Sequence, residues 1–354
     1  MTTTPPPSAP DFHLNRPGAL IAALPAVLGF VPEKSLVLVT VDRGELGCVM
    51  RADLAVDMAE RIEHLVDVAT TTSPDAVIAV VVDEDSTDCR VCDDRYRDLA
   101  LVLDRALAEE GIELYAAHVV DRVAAGGYWR CADGCGEAGR VDDPGASPLA
   151  AAAVLDGRRL YGSRDELLQV IRPDPVRTSS MARPLALAAQ PPGQLESRSD
   201  AEVRRDVEAA MSAALRVAEG DEPDSAELAR VVVGLADPRV RDTLYALAVG
   251  ECAHQAEALW ALLARTMPDP WRVEALVLLA FSAYARGDGP LAGVSLDAAL
   301  RVQPMHRMAG MLDTALQTGM HPERIRELAV TGYRLAEQLG VRLPPRQMWG
   351  RRAS

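Results

Sequence analysis

Residues 76–82, Ala76-Val-Ile-Ala-Val-Val-Val82, form the most strand-like run of the chain: seven apolar residues, five of them β-branched. What flanks this run sets the fold. Downstream, Asp94 to Glu110 keeps a helical period, stops at Gly111 and gives way to Ile112–Val120, a further strand. Upstream, Met58, Ile62, Leu65, Val66 and Ala69 recur at helical spacing, and Thr70 to Pro74 ends that helix. Before it, Ser35–Val41 reads as a buried strand and Leu46–Leu54 as its partner, with Asp42-Arg43-Gly44-Glu45 as the turn of a hairpin. The segment from 46 to 120 therefore carries the βαβ rhythm of an open sheet covered by helices. The expected fold of residues 12–175 is an α/β domain, a mixed sheet flanked by helices.

The rest of the chain reads differently. Residues 1–11 are a Pro-rich tail expected to be disordered, and 176–198 lose all sustained period in a Pro-, Ser- and Ala-rich stretch expected to be a linker. From 199 to 340 every segment is helical in period, including Ala201–Gly220, Ser225–Leu235, Pro238–Gly250 and Gln255–Met267. Leu276, Leu279, Ala280, Tyr284, Gly287-Asp288, Ala292, Ala299, Leu300 and Pro304 together follow the tetratricopeptide pattern. Small residues fall where two helices touch, Gly-Asp falls at the turn, and Pro304 blocks continuation. Ala256, Trp260 and Pro268 repeat the register more weakly. An all-α, tetratricopeptide-like domain is the expectation, with an ordinary helical bundle as the alternative. Residues 341–354 form a basic tail.

The chain has 354 residues, 49% apolar and 25% charged, which excludes a disordered or collagen-like protein. Its formal charge is −15, and 29 acidic against 16 basic residues lie before residue 173, so the acidic half is the first half. Such a field argues against a nucleic-acid surface and favours cations or basic partners. Lys34 is the lone lysine among arginines, a bias typical of a G+C-rich coding sequence. No apolar run reaches the ~18 residues of a membrane span, and the N-terminus lacks the basic region of a signal peptide. A cytoplasmic protein is expected. Six cysteines in so long a chain do not make a disulfide scaffold.

Several segments resemble one family. Leu24-Pro25-Ala-Val-Leu28-Gly29-Phe30-Val-Pro32-Glu-Lys-Ser35-Leu36-Val37, Tyr128-Trp129-Arg-Cys131, Ser147-Pro148 with its Ala-rich helix, and Tyr161-Gly-Ser163-Arg164-Asp-Glu-Leu167 are similar to the actinobacterial proteins called domain of unknown function 4192. The similarity runs through most of the chain. It implies these domain boundaries and no reaction. It also implies a cysteine pair after the aromatic Tyr-Trp position, here Cys131 and Cys135, with Cys89 and Cys92 as an elaboration.

Cys89-Arg-Val-Cys92 and Cys131-Ala-Asp-Gly-Cys135 are each placed just after an expected strand at the same end of the sheet, so four sulfurs could converge. Zinc takes four thiolates in a tetrahedron, and both spacings suit it. A redox Cys-x-x-Cys needs a low-pKa thiolate. Asp83, Glu84, Asp85, Asp88, Asp93 and Asp94 disfavour that state and favour a cation. Two pairs of ordinary loop thiols remain the third reading. Cys48 and Cys252 lie in apolar segments and read as small buried residues.

Other motifs point elsewhere or nowhere. Gly134-Cys-Gly136-Glu-Ala-Gly139 matches the dinucleotide expression, but Arg140-Val-Asp-Asp-Pro144 follows where a helix must open to hold a pyrophosphate. Asp142, Asp143 and Ser147 form a polar loop, with Ser147 before Pro148 reading as a helix cap. His118 reads as a satisfied core histidine and His64 as an exposed one. Arg158, Arg159 and Arg164 read as a solvated ion-pair surface. Two functions stand on these readings. One is a non-catalytic or regulatory protein, with a zinc-stabilised α/β module and a helical domain that binds a protein or peptide partner. The other is an enzyme whose site lies at the carboxyl ends of the strands, drawing on Asp83, Cys89, Cys92, Cys131, Cys135 and Asp143.

Overall fold

The computed structural model describes residues 16–346 except 56–57, 71–72, 87–89, 156–158 and 190–197. The expected N-terminal tail falls outside these, as do residues 347–354. Contacts divide the chain into two compact units between Arg164 and Asp165.

The first unit runs α1 (Pro17–Leu28), β1 (Ser35–Asp42), β2 (Glu45–Asp53), α2 (Met58–Thr70), β3 (Ala76–Val82), α3 (Arg90–Glu109), β4 (Glu113–Val120), β5 (Tyr128–Cys131), β6 (Ala138–Arg140) and α4 (Pro148–Leu155). Its six strands form a mixed sheet in the order β2-β1-β3-β4-β5-β6. The β3–β4 pair is parallel, because α3 carries the chain back across the sheet; the other neighbours are antiparallel. Leu36, Leu38, Val77, Ala79, Val81 and Val119 pack with Ile62, Leu65 and Val66 of α2 and with Tyr96, Leu103 and Leu107 of α3. Val37, Val39, Ile78 and Val80, which alternate with these residues, are buried as well. Burial on both faces is why β1 and β3 read as unbroken apolar runs rather than as alternating ones.

Two strands were not legible. β5 and β6 are short and lie at one edge of the sheet, and β6 reads Ala-Gly-Arg, with no strand propensity. Shape sets their pairing instead. A Cβ at Gly139 would stand 2.9 Å from Trp129 Nε1, so only glycine lets the indole of β5 lie against β6.

The second unit, which begins one residue into α5 (Arg164–Gln169), is helical and continues with α6 (Pro175–Ser180), α7 (Ala182–Ala188), α8 (Asp200–Ala218), α9 (Ser225–Gly234), α10 (Pro238–Leu244), α11 (Ala253–Thr266), α12 (Val273–Ala285), α13 (Gly289–Val302), α14 (Arg307–Gln317) and α15 (Pro322–Leu339). A Ser199/Glu202 capping box opens α8. The tetratricopeptide-like register falls on α12 and α13, which turn through Gly287 at φ 90°. There Asp288 accepts from the Leu291 amide, and Ala280, Ala292 and Ala299 are fully buried.

The structure differs from the sequence reading at two places here. Within the expected linker, α6 and α7 form as short helices, one started by the Asp174 cap and Pro175, the other holding Leu185 in the core. One or two turns are too short to show a period in sequence. The tail is anchored as far as Arg346, where Tyr333 donates to the Pro344 carbonyl and Glu251 N to that of Pro345. Among the described residues no helix is long and apolar enough to cross a membrane.

Candidate metal centre

The β5–β6 hairpin closes through residues 132–137, and Cys131 stands at the end of β5 where register pairs it with His118 of β4. Cys135 N donates to Asp133 Oδ1 at 2.9 Å, which folds the loop back on itself. Gly134 and Gly136, at φ 76° and 87°, take left-handed backbone on either side of Cys135. The result is local convergence. The ligand atoms of Cys131, Asp133 and Cys135 all lie within 4.8 Å of one another, Cys131 half-buried and the other two exposed. Beside them lies a shallow depression lined by Asp93, Arg97, Arg130 and Glu137 among others.

Electrostatics follow from this placement. Burial pushes the Cys131 thiol up, and the Cys135 hydrogen bond and the Asp133 charge add to it. Bonds from Cys135 hold the Asp133 carboxyl below its ordinary range. Burial also pushes His118 down to about 4, against the pull of Asp133, so its imidazole is neutral at physiological pH. A raised thiol is the opposite of what redox attack requires. Two sulfurs with a carboxylate are donors that zinc accepts once the thiols lose their protons to the ion.

Of the four cysteines in the expected cluster, three lie among the described residues. Cys131 and Cys135 come together and Asp133 joins them. Cys92 is not in that group: it lies on α3 with its Sγ 3.8 Å from the Asp85 carbonyl and packs against the core. Cys89 lies outside the described residues. Asp143 caps a short 3-10 turn by accepting from Gly145 N at 2.9 Å, and Asp142 pairs with Arg16 at 3.3 Å. Ser147 stands at the start of α4 as expected, but its hydroxyl is buried with no partner and does not cap. Cys48 is exposed on the edge strand β2, not buried, and Cys252 is half-buried. His64 is exposed. Arg159 lies over the Tyr161 ring at 4.9 Å, and Arg158 lies outside the described residues.

Sequence reasoning passed over two groups. Asp133 was visible between the two cysteines but was not weighed as a ligand. Lys34 could be found only through the fold: it donates to Asp83 Oδ1 at 2.8 Å and also pairs with Asp85. Asp83, buried at the carboxyl end of β3, accepts from the Tyr96 hydroxyl as well. Burial alone would raise the Asp83 carboxyl, but these bonds overcome it and its pKa lies below the ordinary value. The same bonds, from Asp83 first and Asp85 next, raise Lys34.

Fold and site together define a two-unit protein, a mixed α/β sheet bearing a thiol–carboxylate hairpin loop, followed by a helical unit. The chain belongs to the family described as Domain of unknown function (DUF4192), whose model matches residues 17–323, most of its length. No curated protein and no solved structure matches it.

Proposed function

We propose that the chain is a non-catalytic, regulatory protein of the cytoplasm. In this reading its α/β unit is clasped by one zinc ion at Cys131, Asp133 and Cys135, and its helical unit receives a protein or peptide partner. The observation that carries the metal part is the convergence of three donor atoms within 4.8 Å on a single β-hairpin. Two thiolates and a carboxylate leave a zinc site with net charge −1, and the Arg97 guanidinium sits beside Gly134 to offset it. The α12–α13 hairpin, with its small residues at the seam, supports a tetratricopeptide-like groove. The test is chelation of the purified full-length protein. A lowered unfolding temperature, restored by zinc, supports the clasp, whereas an unchanged temperature with no metal released refutes it. The partner part fails if cross-linking in cells captures nothing on the helical unit.

One observation favours a second reading, an enzyme with its site at the carboxyl end of the sheet. Asp83 with Lys34 and Tyr96 stands where open α/β sheets bind ligands. A small molecule whose binding is abolished by Asp83→Asn in a folded protein would support it.

A further inference from the structure

Resting on the zinc reading above, we infer that His118 is the fourth ligand and closes the site as two thiolates, one carboxylate and one imidazole. The imidazole is placed by the sheet rather than by the loop. β4 and β5 pair His118 with Cys131 directly, so both side chains leave the same face of the sheet. His118 Nδ1 lies 3.7 Å from Cys131 Sγ. With Zn–S near 2.3 Å and Zn–N near 2.0–2.1 Å, two donors at a tetrahedral angle stand about 3.6 Å apart. The observed separation matches the edge length of a zinc tetrahedron.

The ring is also held in place. His118 is 4% exposed, and Trp129, two residues before Cys131, meets it edge-on with ring centroids 5.2 Å apart. A buried ring fixed by packing and aimed at a thiol is a preorganised ligand. His118 touches the trio through Cys131 and is not among the donors that lie within 4.8 Å of one another, so closing on one ion requires the Asp133–Cys135 segment to shift, about the left-handed Gly134 and Gly136. Two donors come from the loop, one from the end of β5 and one from the neighbouring strand β4. The ion then ties the β5–β6 edge to β4, and a full tetrahedron leaves no position for substrate, which marks the site as structural.

X-ray absorption of the zinc-loaded full-length protein, beside His118→Gln, tests this. The expected spectrum shows two sulfurs and one imidazole, whose ring scattering disappears in H118Q while zinc affinity drops at least about tenfold. Zinc bound by two sulfurs and oxygen donors alone, without ring scattering in the unaltered protein, overturns His118 and leaves the trio intact. A protein that holds no zinc overturns the trio as well. The wild-type spectrum decides without relying on the variant to fold.

Discussion

At the residue scale, the most consequential side chains are those whose partners come from distant segments. Asp83 is read easily as acidic, but its state depends on Lys34 and Tyr96, which only the pairing of β1 with β3 and the packing of α3 bring to it. Tyr96→Phe removes a buried bond to a charged acceptor and is expected to cost about 1.5–3 kcal/mol at neutral pH. The pH dependence has a definite sign. A carboxyl held below its unfolded value contributes stability above that value and loses it as pH falls through the folded pKa. Urea unfolding of wild type and Y96F should therefore show a gap that is full at pH 7 and shrinks below roughly pH 3.9. A gap of constant size across that range would mean that Asp83 is not the group involved.

At the element scale, long elements were legible and short ones were not. β3 is read from the sequence with both its ends, and α2, β4 and α8 to within a few residues, because each carries a sustained apolar pattern or a cap. β5, β6, α6 and α7 have four, three, six and seven residues, too few to repeat a period, and their conformation is set by tertiary contact. The site suffered for the same reason. Without β5 nothing in the sequence could pair Cys131 with His118, so the histidine read as core and the second thiol pair read as the natural complement. The helical unit offers a direct test of the seam between α12 and α13. Ala292→Leu inserts a branched side chain where no space remains and is expected to destabilise by about 1–3 kcal/mol, seen as a lower urea midpoint. An unchanged midpoint would show that the seam is loose.

At the scale of the whole molecule, an acidic α/β unit precedes a helical array, and the family match spans parts of both. The metal account places the ion wholly within the first unit, on one edge of its sheet. Cys92→Ser is accordingly expected to keep the metal, while Cys131→Ser and Cys135→Ser lose it. The most direct measurement is elemental analysis of the full-length protein purified without added zinc. About one zinc per chain, absent from C131S, is the predicted result. A metal-free chain whose Cys131 and Cys135 thiols react freely with a thiol reagent would contradict it.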